Sequence, residues 1–350
     1  MKWESFSLWV RFIRTAHVTH YIEENREHLY TEEERPGNQR FKISGPNTGE
    51  KRKMVNLDKL STEKVNPKSV NFSSMSIEDS VTLMNEEDLN TVKAVAAAKN
   101  EIVKVITDSS KTLKNGGRLI YIGAGTSGRL GLLDAVECPP TFGVDYETVI
   151  GLIAGGEKAF VKAKEGSEDS KELAVEDLKN VNLTDKDMVI GVAASGRTPY
   201  VIGGLEYAKT VGCPIGAVVC SADSEIAEIC PNTVALINGP EVLTGSTRLK
   251  SGTATKMVLN MISTISMKEA GKVYKNYMVD VKLTNKKLEA RGLNIVKSVT
   301  GKLEDEAKAA LDAAGNEVKT AIVMLEKGVD ADQARTLLKE ADGYIDRIPA

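Results

Sequence analysis

The 350-residue sequence is poor in the side chains that usually carry metal and proton chemistry. Its only histidines are His17, His20 and His28, and its only tryptophans are Trp3 and Trp9, so everything beyond position 28 lacks imidazole. Chemistry in the main body therefore falls to carboxylates, lysine, tyrosine, cysteine or hydroxyls. The four cysteines, Cys138, Cys213, Cys220 and Cys230, form no C-x-x-C pair and no metal spacing, and are expected reduced in a cytoplasmic protein. No apolar run approaches the roughly 18–20 residues that span a bilayer. The N-terminal patch FSLWVRFI is short, broken by arginine, and followed by no small-residue cleavage site. A net charge of -3 gives no reason to expect nucleic acid or an anionic membrane as partner.

What is present divides along the chain. Residues 1–53 are polar and without periodicity, either a disordered tail or a translated leader ahead of a true start at Met54. Residues 54–108 form a helical segment, with Ser76 or Asn85 as possible caps. Apolar strands then alternate with helices. RLIYIGAG, TVIGLIAGG (148–156), MVIGVAAS, PIGAVVC and VALING (234–239) read as strands. SGRLGLLDAVEC (127–138), a stretch from Lys158, TPYVIGGLEYAKTVG and 246–271 read as helices. Near-continuous apolar strands of this kind belong to a parallel sheet covered on both faces. From about residue 300, short amphipathic helices separated by glycine suggest a small bundle.

Ser-Gly-Arg occurs twice, at 127–129 and 195–197, each time just after a strand. Ligands of open parallel sheets bind beyond the carboxyl ends of strands. There, glycine permits close backbone approach and the next helix offers free N–H groups. The hydroxyls of Thr126, Ser127, Ser195 and Thr198 add donors, giving a phosphate cradle without a metal. No G-K-[ST] follows, so it is not a Walker loop. GAGTSG also lacks the strand-end acid of a dinucleotide fingerprint.

IYIGAGTSGRLGLLDAVECPPTFG, GLIAGGEKAF, EGSEDS, GVAASGRTPYVIGGLEYAKTVG and TGSTRLKSGTATKMVLNM together resemble the N-acetylmuramic acid 6-phosphate etherases, bacterial cell-wall recycling enzymes of the sugar isomerase (SIS) fold. The resemblance covers about residues 54–350. Val136 stands where the family often has serine before ECPP, and residues 1–53 have no counterpart. The resemblance implies a three-layer α/β/α domain (109–273) with a central parallel five-stranded sheet, N-terminal helices, and a C-terminal helical domain (274–350); the bundle is expected to lid the site or buttress a dimer. It implies removal of D-lactate from C3 of the open-chain sugar phosphate, without cofactor or metal. In the matching motifs Glu137 falls on the family's acid and Glu168 on its base.

The residues suit those roles. An acid at pH 7 needs a carboxyl raised from about 4.3 toward 6. Glu137 is expected at a helix end, where the dipole disfavours its charge, with Pro139 and Pro140 fixing the chain's exit. Glu165 and Glu168 would share a face if KEGSEDS is a helical turn, and their mutual repulsion would raise one of them. With the resemblance, Glu165 becomes a sugar contact. Gly128, Gly196, Arg197, Ser246 and Thr247 complete the expected substrate-binding set. Arg248, Lys250 and Lys256 follow in the same segment, as substrate contact or dimer surface. One difficulty stands. Ser127 and Glu137 lie about 15 Å apart along an ideal helix, too far for one hexose phosphate. Either the helix breaks near Gly131, or Glu137 serves a partner chain in a homodimer. The rival readings are a sugar-phosphate isomerase of the same fold, which needs no acid at an ether, and a non-catalytic sugar-phosphate sensor.

Overall fold

Five short apolar runs pair in a single parallel sheet in a computed structural model that describes residues 61–162, 164–222 and 224–349. They are β1 (Leu119–Gly123), β2 (Val149–Ile153), β3 (Met188–Ala193), β4 (Ile215–Val219) and β5 (Thr233–Ala235), in the order β2-β1-β3-β4-β5. Gly123 is level with Ile153 on one side and Val192 on the other, so β1 lies at the centre. The chain leaves β1 for β2 and then returns to the far side of β1 as β3. The strand order therefore reverses between β1 and β3, where open α/β sheets place their ligands. The expected strands at 148–156 and 234–239 are shorter than their apolar runs. Gly155 and Gly156, with φ of 91° and 76°, turn the chain out of the sheet after β2.

Side chains alternate across this sheet, and each face is buried under helices. The helices are α1 (Ile77–Ala97), α2 (Lys99–Lys114), α3 (Gly125–Phe142), α4 (Lys158–Val161), α5 (Lys171–Asn180), α6 (Pro199–Val211), α7 (Glu225–Ile229) and α8 (Lys250–Glu269). Leu119, Tyr121, Ile190 and Val218 face α2, α3 and α8, meeting Ile102, Ala135, Val258 and Ile262. Ile120, Ile122, Val189 and Val219 face the other way, onto Leu178, Tyr200, Val201 and Leu205 of α5 and α6. This is the α/β/α sandwich that the alternation of strands and helices foretold. Ser76 is the cap of α1, accepting from the Asp79 N–H at 3.0 Å, while Asn85 lies inside the helix. The helix expected from Lys158 is a single turn, and α5 carries the crossover to β3 instead.

Beyond α8, the helices α9 (Lys286–Thr300), α10 (Glu304–Ala313), α11 (Val318–Lys327) and α12 (Ala331–Glu340) bury their own core around Ile295, Val296, Leu311, Ile322 and Leu338. Ions tie this bundle to the end of α8. The Lys319 ammonium donates to the Gly271 carbonyl at 2.7 Å and to Asp280 at 2.8 Å, and Lys272 reaches the same carboxylate at 3.2 Å. Among the described residues no helix is long and apolar enough to cross a membrane. Cys138, Cys213, Cys220 and Cys230 are all unbridged and buried. The readings of residues 1–53 and of a start at Met54 lie outside the described residues.

Candidate active site

The two Ser-Gly-Arg motifs follow β1 and β3, adjacent strands about 4.8 Å apart; Ser195–Arg197 is a turn as expected, but residues 127–129 already lie in the first turns of α3. Each opens a helix that no side chain caps. α3 starts after Ala124 and α6 after Thr198, in both cases without a side-chain hydrogen bond at the cap. Their first-turn N–H groups therefore point, with the helix dipoles, at whatever lies beyond the strand ends. The hydroxyls of Thr126, Ser127 and Thr198 are partly exposed and have no hydrogen-bond partner among the described residues. Glycine is required in each turn. A Cβ at Gly128 would lie 2.6 Å from the Gly123 carbonyl oxygen, and one at Gly196 (φ 69°) only 2.2 Å from Ser224 Oγ. The Gly196 carbonyl in turn accepts from Ser224 Oγ and the Ile226 N–H, which locks the second turn onto α7.

The two arginines are used differently. Arg197 pairs with Glu225 at 3.4 Å. Arg129 donates to the carbonyls of Phe160 and Ala159 at 2.7 and 2.8 Å. It thereby anchors α4, and with it the segment that carries Glu165 and Glu168. Sequence reasoning missed this role, although the repeated Ser-Gly-Arg was its signal. Glu165 and Glu168 are not on one helical turn. Gly166 between them has φ 76°, and a short 3-10 turn, Ser167–Asp169, follows. Both glutamates nevertheless line one cavity of about 160 Å³ with Arg129 and Gly125, the first residue of α3. Buried Ser167 fixes the segment against Gly155 at the end of β2. The base candidate, its neighbour and the first cradle turn are thus brought together.

Glu137 is placed otherwise than expected. α3 is unbroken at Gly131, which packs against the Tyr121 ring, and it runs through Pro139 and Pro140 to Phe142. The prolines forfeit only the bonds to the Ala135 and Val136 carbonyls. Buried Cys138, Pro139 and Phe142 hold the last turn in the core, and Gly143 (φ 67°) ends the helix by donating to the Pro139 carbonyl. Glu137 therefore sits more than a turn before the helix end and is solvent-exposed in the single chain, beside exposed Leu133 and Val136. On the inner face of the same helix, Asp134 is buried and accepts from Tyr121 Oη (3.1 Å), Asn260 Nδ2 (2.8 Å) and Ser263 Oγ (3.1 Å). Burial pushes its pKa up despite these donors. This network bolts α3 to β1 and α8, and no sequence motif signals it.

The expected helix over 246–271 begins only at Lys250, so Ser246 and Thr247 lie in the loop that precedes it. Thr247 approaches the cradle. A Cβ on Gly252 would lie 3.5 Å from Thr126 Cγ2 and 3.6 Å from the Thr247 carbonyl oxygen. Lys250 is not a substrate contact. It is 1% exposed and gives its ammonium to Glu87 at 2.7 Å. Glu241 accepts the Lys250 and Ser251 N–H groups, so a carboxylate of the chain itself fills the start of α8.

The model described as the glucokinase regulatory protein N-terminal SIS domain matches residues 101–209, and that of the SIS domain matches residues 171–265. An N-acetylmuramic acid 6-phosphate etherase of Francisella tularensis subsp. holarctica is 53% identical over 289 residues, 83% of this chain and 98% of its own length. A protein of the same name from Bacillus cytotoxicus is 53% identical with the same coverage, and one from Serratia proteamaculans 52% identical over 291 residues, again 83% and 98%. The motifs that build the cradle and carry both glutamates lie within a chain that belongs to the N-acetylmuramic acid 6-phosphate etherase family.

Proposed function

We propose that the protein cleaves the D-lactyl ether of N-acetylmuramic acid 6-phosphate, giving N-acetylglucosamine 6-phosphate and D-lactate. The observation that carries the reading is the shared cavity of Glu165 and Glu168 at the uncapped start of α3, in a chain of this family. The phosphate is held by Ser127, Ser195, Thr198 and the N–H groups of α3 and α6, and Thr126, Gly128, Gly196, Arg197, Ser246 and Thr247 complete the contacts to the substrate. The opened sugar presents its C1 aldehyde, which acidifies the proton on C2. Glu168 removes that proton, and the C3–O bond breaks as the C2=C3 double bond forms. Glu137 supplies the proton that lets lactate leave as its alcohol. Water then adds at C3 and a proton returns to C2. Glu165 holds a sugar hydroxyl.

The distance from cradle to Glu137 along an unbroken α3 favours a homodimer with composite sites. In it Leu133 and Val136 become contact surface, and Glu137 reaches the site of a neighbouring subunit. The division into 54–108, 109–273 and 274–350, the bundle as lid or buttress, and a cytoplasmic setting belong to the same proposal. An isomerase of this fold would need a base at C2 but no acid aimed at C3. Incubation with N-acetylmuramic acid 6-phosphate should release D-lactate, and folded protein that releases none refutes the reading. E137Q and E168Q should each lower turnover at least about 10³-fold. Mixed E137Q/E168Q dimers should regain part of it, whereas persistent inactivity of the mixture would place both groups in one chain's site.

A further inference from the structure

The segment from Thr62 to Asn66 takes no part in the machinery above, yet it is firmly seated. Thr62 and Asn66 are buried. The Asn66 amide donates to Glu87 at 2.8 Å and to the Pro240 carbonyl at 3.2 Å, and its oxygen accepts from the Lys68 N–H. Between these anchors, Glu63 is half-buried and reaches the loop that carries Ser246 and Thr247. Gly245 there has φ 77°, and a Cβ on it would lie 2.9 Å from Glu63 Oε2 and 3.7 Å from Oε1.

The loop does not use this carboxylate. The Ser246 N–H donates to the Leu243 carbonyl and the Thr247 N–H to the Gly245 carbonyl. Two other glutamates border the loop, and both are committed, Glu87 to Lys250, Lys68 and Asn66, and Glu241 to the start of α8. Glu63 has no hydrogen bond or ion pair among the described residues. Glu63 thus abuts Gly245, next to Ser246 and Thr247, and the same loop nears the cradle, since a Cβ on Gly252 would lie 3.5 Å from Thr126 Cγ2 and 3.6 Å from the Thr247 carbonyl oxygen.

We propose that Glu63 contacts the substrate, accepting hydrogen bonds from neutral donors of the sugar, a hydroxyl or the acetamido N–H. This assignment rests on the etherase reading. An ionised carboxylate can only accept, and it repels both the phosphate and the lactyl carboxylate. Its place beside the Ser246–Thr247 loop thus marks where the uncharged middle of the molecule lies, and it orients the sugar between the cradle and Glu168.

A hydrogen bond to a charged group is worth roughly 10- to 100-fold in binding. E63A should raise KM by about that factor, with kcat within about threefold and an unchanged melting temperature. E63Q should recover part of the loss, because its amide oxygen still accepts. Inhibition by N-acetylglucosamine 6-phosphate should weaken in parallel, while inhibition by inorganic phosphate, which lacks the sugar donors, stays at the wild-type level. Wild-type turnover with an unchanged KM in E63A overturns the Glu63 assignment and leaves the etherase reading standing. Equal weakening toward inorganic phosphate, or a fall in melting temperature that matches the loss, assigns Glu63 a structural role instead. Should the wild type release no lactate, calorimetric binding of N-acetylglucosamine 6-phosphate decides, and equal affinity of wild type and E63A overturns the assignment.

Discussion

Glu87 is 4% exposed and receives Lys250 at 2.7 Å, Asn66 at 2.8 Å and Lys68 at 3.0 Å. Burial alone would push this carboxyl up. The hydrogen bonds from Lys250, Lys68 and Asn66 outweigh burial and hold it at about 2. A carboxyl depressed on folding adds stability that is complete above its unfolded value of 4.5 and drains away as pH falls toward 2. Between pH 6 and pH 3 the wild type should lose about 2 kcal/mol through this group. E87Q should start lower by about 3–5 kcal/mol, because Lys250 is left buried and uncompensated, but should show a flatter pH dependence. Urea midpoints at the two pH values check both statements, and parallel slopes would disprove the linkage. Lys250 also shows a limit of reading by motif. The lysine in TGSTRLKSGT is indistinguishable from a ligand-binding lysine until the chain brings Glu87, 163 positions away, beside it.

At the scale of elements, what could be read was what local pattern encodes. Five apolar runs ending in glycine or small residues gave the sheet, and two hydroxyl-rich turns after them gave the cradle. α3 escaped because its extent is a tertiary outcome. Local rules end a helix before Pro139-Pro140, but burial of Cys138, Pro139 and Phe142 under α8 carries it on to Gly143. The pairing of Glu165 with Glu168 was anticipated for the wrong reason. A left-handed Gly166, not helical spacing, brings them to one cavity. Gly143 offers a direct test of how α3 ends. Its φ is 67°, and a Cβ would lie 2.1 Å from the Asp280 carbonyl oxygen. G143A should therefore cost about 2–4 kcal/mol, since strain in the left-handed region adds to overpacking. The loss should be read as a fall in the urea midpoint. A melting curve like that of the wild type would mean that the contact with the bundle is not rigid.

Across the whole molecule, one core lies around the sheet and another within the bundle, and they meet where Lys319 and Lys272 converge on Asp280. The four thiols sample the first of these cores from different sides. Cys138 is on the inner face of α3, Cys213 and Cys230 on the α5 and α6 face, and Cys220 beside Ser251 at the start of α8. Burial pushes Cys138 to about 12 and Cys213 and Cys220 to about 11, so thiolate is scarce and reagents are shut out. The chain thus contains its own clock for opening. In Ellman's reagent at pH 8 the native enzyme should stay colourless until a region lifts, and the sequence of labelling would rank the regions. Four equal rates would describe a single cooperative melt, whereas early reaction at Cys138 would mark the glutamate helix as the first part of the sandwich to breathe.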